Sequence, residues 1–565
     1  MKFLWIGAML FCCTFGAMSS FAQDSPLELQ YALLLKEEKI GKVLFRILPD
    51  PENREIIYLN QLQILDKMPG IPAGSKIEEV TMFHIKQKRP LKYVVEQTFG
   101  QQRSIGFFEF DYEKSRINFF QKIGNTANQQ PIPLQGELLD PLSLLFLLPR
   151  ENWETTPTQY YNLINLGKIS ATLLQKQASV PTPLGTLQCY QIELGREGLS
   201  QVLYLDVQKK YLVRIDSASL AGTVITLLQE VKPLSEFKLP DLINIQPELQ
   251  PQPPLHFKPE TREEYPEKEV TFLSQDTMLS GTLTLPRGNP PFPGVLLIAG
   301  SGPVDRDGNV PQGIQLNILQ EMAYQLAECG FAVLRYDKRG VGKSGGDFAA
   351  SGLYDLVADA QSALEFLTRQ PEINSQRIAL LGHSEGGTIA CMVASENPAV
   401  SALVLMAAPA RSLTELVKEQ ITYLYLISGV KDPQIIQEAI AQQNKIFEAL
   451  AQGKKEVEGV PIPLWKWWKD YLEFDPQVFF QKIRVPTLIL QGEKDYQVKT
   501  EDALKIAGIL KQNGVLCKLV IFPDLDHLFR PVKGDFSSPE EYLDTSRKIP
   551  QEVFEKICSF LKKNL

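Results

Sequence analysis

Residues 377–387 read Arg377-Ile378-Ala379-Leu380-Leu381-Gly382-His383-Ser384-Glu385-Gly386-Gly387. A short apolar run enters a turn bracketed by glycines, and Glu385–Ser395 continues as a small-residue stretch of helical character. The turn fits G-x-S-x-G, in which a serine sits on a sharp strand-to-helix bend. Its neighbours must be small because the backbone there folds close upon itself. The helix that starts at the turn also presents its N-terminal dipole to developing negative charge. The alternative is a plain glycine-rich turn without chemistry. What separates the two is whether an acid and a base follow at suitable places in the chain.

Outward from this turn the chain alternates strand and helix. Glu269–Ser274 and Leu279–Leu285 read as an opening hairpin, and Gly294–Ala299 (GVLLIA) as a wholly apolar strand. A helical stretch near Ile314–Cys329, the strand Phe331–Tyr336 and the helix Leu353–Thr368 precede the turn. Ser401–Met406, Thr487–Leu490 and Val515–Phe522 are strands after it, and Gln551–Lys562 is a final helix. Apolar strands alternating with amphipathic helices predict an α/β fold with a mostly parallel sheet covered on both faces. Between Ser401–Met406 and Thr487–Leu490 lie roughly eighty residues, far more than a usual connection. Leu413–Val430 and Pro433–Gln452 read as helices, and Trp465, Trp467 and Trp468 cluster beyond them. The segment from about 411 to 480 is expected to form a helical lid; the tryptophans either belong to it or cap the core.

The candidate acid is Asp495, which ends the short turn after the apolar strand Thr487–Leu490. That places it at the carboxyl end of the sheet, where functional groups gather in open α/β folds. Glu493 competes but stands closer to the strand. The chain has four histidines. His84 falls in a β-rich region, His256 in a proline-rich stretch, and His383, beside the serine, is expected to point away from the site. His527, just after the last strand, is left as the base. The order Ser384, Asp495, His527 suits a strand-turn nucleophile of this kind. A serine hydroxyl needs a base to take its proton, and the base needs a carboxylate to fix its tautomer. Gly340-Val341-Gly342-Lys343-Ser344 imitates the end of a phosphate-binding loop, but that motif requires glycine where Asp337 stands.

With these residues in place, the chain from about residue 265 onward resembles the α/β-hydrolase superfamily. It is most similar to bacterial carboxylesterases carrying the segment Ala299-Gly300-Ser301-Gly302-Pro303-Val304-Asp305-Arg306-Asp307-Gly308-Asn309. Tyr336–Ser344 resembles the D-x-R-G-x-G-x-S loop of such enzymes, which organises structure near the site. The resemblance implies a serine hydrolase acting on a small-molecule ester, without cofactor or metal. It also implies an oxyanion hole made by the backbone N–H groups of Ser301 and Glu385. Ala299-Gly300 replaces the usual His-Gly pair, which leaves Gly302 as the alternative to Ser301. Asp305, Arg306 and Asp307 either shape the entrance or form salt bridges. A peptidase or thioesterase with the same triad is the alternative reading, and no amine- or carboxylate-binding group stands out to favour it. A vestigial hydrolase serving as a binding protein is opposed by the intact nucleophile, acid and base.

Residues 23–240 read as a separate β-rich domain. Examples are Tyr93-Val94-Val95, Ile105–Phe110, and Leu203–Val207 followed by Tyr211–Ile215. Short β-branched and aromatic runs between polar turns are strand and hairpin signals. Asp140–Arg150 (DPLSLLFLLPR) interrupts them and reads as helical. With the Pro183-Leu184-Gly185-Thr186-Leu187 turn, it resembles a β-rich domain of bacterial envelope proteins to which no chemistry attaches. Residues 241–268 form a proline-rich linker, with Pro247, Pro251, Pro253, Pro254, Pro259 and Pro266. It leads into the catalytic domain, 269–565. Residues 1–22 have the layout of a signal peptide: Lys2, an apolar run from Phe3 to Phe15, and Ser20-Phe21-Ala22, which places small residues at the −3 and −1 positions of a cleavage site. An exported, periplasmic or secreted protein is expected, with no stable membrane span after cleavage.

Of the cysteines beyond residue 22, Cys189, Cys329, Cys391, Cys517 and Cys558 are odd in number and scattered. Their spacing suggests neither a disulfide scaffold nor a metal site, and Cys329 and Cys391 are expected in the core. Composition is that of a soluble globular protein, 44% hydrophobic and 22% charged. A net charge of −8 excludes a basic nucleic-acid footprint. The oligomeric state leaves no trace in the sequence.

Overall fold

A computed structural model describes residues 27–233, apart from several short stretches, and 265–565, apart from 311–315 and a few positions near 428–431, 458–459 and 535–545. The expected signal peptide, and the linker up to residue 264, lie outside the described residues. The chain divides into two compact units: residues 1–256 with 424–463, and residues 257–423 with 464–565. Much of the expected lid segment therefore groups with the N-terminal unit. Within that unit the helix Pro433–Ala451 packs on a hairpin of Glu456–Val457 and Val460–Pro461, and Val460–Pro461 lies against the strand Leu199–Asp206.

The second unit holds an eight-stranded sheet in the order Glu267–Ser274, Thr277–Thr284, Ala332–Tyr336, Phe292–Ile298, Ile373–His383, Val400–Met406, Thr487–Gly492, Cys517–Phe522. The first two strands form an antiparallel hairpin that joins Ala332–Tyr336 antiparallel. All later neighbours are parallel. This is the mostly parallel sheet of an α/β fold, as the alternation of strands and helices predicts. The wholly apolar strands follow from burial on both sides. Along Phe292–Ile298, Val295 and Leu297 join one core with Met322, Leu326, Val553 and Ile557. Leu296 and Ile298 join the other with Leu364, Ile389, Val393 and Ile506. Alternate side chains of a strand point to opposite faces, so each strand serves both cores.

One expectation is corrected here. Cys329 is not a plain core thiol but forms a disulfide with Cys558, 229 residues away in sequence. It ties the end of the helix Ile318–Glu328 to the helix Gln551–Asn564, which shares the same core. Neighbouring helices on one sheet face brought the two together, and no short spacing signals that. Reducing the bond, or replacing Cys329 by serine, is expected to lower unfolding free energy by about 2–4 kcal/mol. Urea titrations with and without reductant measure this; coincident curves would show that the bond does not stabilise the protein.

Among its described residues the first unit contains a fourteen-stranded antiparallel sheet. Its centre is the strand Leu27–Leu35, paired with Glu38–Pro49 on one side and Gly222–Pro233 on the other. From these the neighbours run outward as two meanders, ending at Thr126–Pro133 and Thr158–Leu163. Part of the 140–150 segment is helical, as expected, and is anchored by Asp140. The Asp140 carboxylate accepts from Ser143 N at 3.0 Å and from Thr81 Oγ1 at 2.9 Å, and bonds the Ser143 hydroxyl. Leu144, Leu147, Leu148 and Trp153 are buried there.

Glu79, two residues before Thr81 on the same strand, is 1% exposed. Burial first, then the charge of Asp140, push its pKa from the ordinary 4.5 up to about 8. The folded state therefore holds this proton more tightly than the unfolded chain. The resulting stability is complete below about pH 4.5 and is lost as pH rises to about 8. Amide exchange along Lys76–His84 is expected to speed up over that range beyond its intrinsic pH dependence. Glu79→Gln, neutral at every pH, should flatten the excess. An equally steep rise in the variant would assign it to another group.

Candidate active site

The glycine-bracketed turn is tightly built. Ser384 has φ 55° and ψ −122°, a conformation costly for a residue with a Cβ, and the helix Glu385–Glu396 starts immediately after it. Ser384 N donates to the Met406 carbonyl at 2.8 Å, and Gly387 N to the Ser384 carbonyl at 2.8 Å. The bracketing glycines are required by close approach. A Cβ on Gly382 would lie 2.1 Å from the Gly386 carbonyl oxygen, and one on Gly386 would lie 2.1 Å from that of Ile298. The turn thus presses against the end of the Phe292–Ile298 strand, and Ser384 is half-buried at the carboxyl edge of the sheet.

Asp495 and His527 meet there. His527 Nδ1 is 2.7 Å from Asp495 Oδ2, and both residues are buried. The other bonds of the carboxylate come from Gln497 N and Val498 N to Oδ1, at 2.7 and 3.0 Å, and from Gln491 Nε2 to Oδ2 at 3.1 Å. An ionised carboxylate accepts at both oxygens, so the histidine Nδ1 facing it carries the proton and Nε2 is left as the basic nitrogen. The competing acid, Glu493, and the neighbouring Asp526 are placed differently. Glu493 is exposed. Asp526 turns its carboxylate to Leu528 N, Arg530 N and Arg547, fixing the loop that carries His527.

His383 does not point away from this group, contrary to the expectation from sequence. Its Nε2 donates to the His527 carbonyl at 2.8 Å, and the two rings stand 4.8 Å apart. The reason is that the His527 loop folds over the turn, so the residue before Ser384 reaches it. Burial, with His527 beside it, lowers the His383 pKa to about 4. A neutral His383 supports its neighbour without adding a second positive charge.

The loop after Phe292–Ile298 lies directly on the turn: a Cβ on Gly300 would come 3.1 Å from His383 Nδ1 and 3.3 Å from Ser384 Cβ. Ser301, which follows, is exposed, and Gly302 has φ 97°. Behind this loop is a polar cluster that the sequence did not announce. Lys338 Nζ donates to the Gly300 carbonyl at 2.6 Å and to Glu385 Oε2 at 2.9 Å. Glu385 Oε1 accepts from Trp467 Nε1 at 2.5 Å and Tyr471 OH at 3.1 Å. Trp467 therefore neither caps the core alone nor stands free in a lid. The available signal was an acidic residue in a glycine-tight turn, which burial obliges to find a cation.

Asp305, Arg306 and Asp307 are structural. Arg306 is buried and pairs with Asp337 through Nε and Nη2, at 3.0 and 2.7 Å, while also reaching Glu269, Gly281 O, Thr282 and Ser280. Asp305 closes its own turn by accepting from Asp307 N and Asn309 N, and Asp307 pairs with Arg335. Among the described residues no group of three or more His, Cys, Asp or Glu side chains could hold a metal ion, and no helix is long and apolar enough to cross a membrane.

Residues 315–529 match the hydrolase family described as serine aminopeptidase, S33. Esterase EstD of Thermotoga maritima is 28% identical over 302 residues, which are 53% of this chain and 68% of that protein. The acylamino-acid-releasing enzyme of Rattus norvegicus is 22% identical over 38% of this chain, a span of only 26% of that enzyme's length. An esterase structure from Pyrococcus furiosus covers 53% of this chain at 17% identity with a TM-score of 0.37.

Proposed function

From the premise that residues 265–565 form an esterase-like α/β-hydrolase, we propose that the protein cleaves carboxylic esters through an acyl-enzyme intermediate. Ser384 is the nucleophile, His527 the base and Asp495 the residue that orients it. His527 takes the Ser384 proton as Oγ attacks the ester carbonyl. The tetrahedral oxyanion is held by the backbone N–H groups of Ser301 and Glu385, and His527 then returns the proton to the leaving alcohol. Water repeats the sequence to release the acid. The observation that carries this reading is the buried Asp495–His527 pair, braced by His383 next to a strained Ser384.

The matches to the serine aminopeptidase family and to acylamino-acid-releasing enzymes favour a second reading, amide cleavage by the same residues. A fluorophosphonate probe tests for an activated serine. Turnover of p-nitrophenyl esters against aminoacyl and acylaminoacyl anilides then divides the two readings, with the esters expected to be the better substrates. Faster hydrolysis of the anilides would overturn the ester assignment. Export is part of the proposal: the leader-like residues 1–22 are joined in support by the Cys329–Cys558 disulfide, a bond that persists in oxidising compartments.

A further inference from the structure

We propose that Lys338 is the positioning residue of the oxyanion hole, a single ammonium that orients the Gly300–Ser301 donor peptide and ties it to the start of the helix that carries the other donor. The inference rests on the reading of Ser301 and Glu385 as the donors. The Gly300 carbonyl and the Ser301 N–H are opposite ends of one planar trans peptide, so fixing the oxygen fixes the direction of the N–H. Lys338 Nζ holds that oxygen at 2.6 Å. The same ammonium holds Glu385 Oε2 at 2.9 Å, and Glu385 is the first residue of the helix whose N–H is the second donor. Gly300 runs so close to the turn that a Cβ on it would lie 3.1 Å from His383 Nδ1 and 3.3 Å from Ser384 Cβ. The ammonium thus lies between the two segments that must converge on one oxygen atom.

Lys338 is itself held rigidly. It is 3% exposed, its N–H donates to the Val304 carbonyl at 3.3 Å, and the Phe348 ring lies 5.6 Å from Nζ. Asp337 beside it is clamped by buried Arg306. Trp467 and Tyr471 complete the Glu385 carboxylate from the helix Trp465–Leu472, so the carboxylate cannot swing away from the ammonium. A buried ion pair adds little stability over a well-packed apolar substitute. What this pair supplies is register between the Gly300–Ser301 peptide and the start of the Glu385 helix.

Oxyanion donors strengthen in the transition state rather than on substrate binding, so loosening them should lower kcat with little change in KM. In the full-length protein, Lys338→Met is expected to reduce kcat on p-nitrophenyl butyrate by about 10²-fold, the scale of losing one donor. KM should stay within threefold. The Ki of an aryl trifluoromethyl ketone, whose adduct places an oxyanion in the hole, should rise by the same factor as kcat/KM falls. Lys338→Arg should recover part of the loss. If Lys338→Met does not fold, Glu385→Gln gives the test: it keeps the backbone donor and an acceptor for Trp467 and Tyr471 but removes the charge facing Lys338, and should cost tenfold or more in kcat. A folded Lys338→Met enzyme with kcat within threefold of wild type, or with ketone affinity unchanged, would overturn the proposal. So would wild-type kcat in Glu385→Gln. The underlying reading fails separately, if Ser384→Ala still reacts with a fluorophosphonate.

Discussion

Ser384→Ala is expected to lower kcat for p-nitrophenyl acetate by about 10⁴–10⁶-fold, leaving only what binding and the oxyanion donors provide. His527→Ala should do nearly as much damage, because without the base the serine hydroxyl is a weak nucleophile. Asp495→Asn should be milder. Its amide would present a donor to His527 Nδ1, now 2.7 Å from a carboxylate oxygen, and so favour the wrong tautomer. The double variant Ser384→Ala/His527→Ala should be no worse than the worse single one, since triad members act as a unit. Ester turnover by each purified variant, with circular dichroism as the check on folding, measures these effects. A Ser384→Ala protein that keeps a tenth of wild-type turnover would require a different nucleophile.

The second large effect is expected at Gly386. An alanine there would place its Cβ 2.1 Å from the Ile298 carbonyl oxygen and 2.7 Å from that of Ala299. Both obstacles are backbone, the last residue of a central strand and the residue after it, so the helix start must retreat rather than a side chain rotate. Gly386→Ala should cost more than about 4 kcal/mol, the range reserved for severe steric or cavity lesions. Any folded fraction should have lost most of its turnover, because the strand end that is pushed away leads into Gly300 and Ser301. Gly508, on the helix Thr500–Gln512, has no atom beyond the adjoining backbone of its own helix within 4 Å of the corresponding position and serves as a control. Denaturant unfolding of both variants decides the matter: equal stabilities would refute the close-packed turn.

The parallel sheet was legible because strands such as Phe292–Ile298 feed two cores and must be apolar throughout. Asp495 and His527 were legible because each follows such a strand at the same edge of the sheet. What escaped the sequence has one common cause, contact between residues distant in the chain. Glu385 meets Lys338, Trp467 and Tyr471 across 47, 82 and 86 residues. Cys329 meets Cys558 across 229. His383 was misjudged for a different reason: its place beside the nucleophile says nothing about which loop folds over it. The grouping of 424–463 with the N-terminal unit was hidden because its strands Glu456–Val457 and Val460–Pro461 are two residues each, too short to show alternation.

That grouping bears on the order in which the protein can be made. A chain emerges N-terminus first, whether from a ribosome, at about 5–20 residues per second, or from an export channel, and its domains fold as units. The described strands of the N-terminal sheet are synthesised by Pro233, yet their unit acquires its last members only when Pro463 emerges. Roughly 200 residues separate residue 256 from that point, a delay on the order of 10–40 s at those rates. The eight-stranded sheet is still lacking Thr487–Gly492 and Cys517–Phe522 when the delay ends. The segment that completes the N-terminal unit is therefore encoded within the sequence of the other, and the emerging chain holds two unfinished units at once.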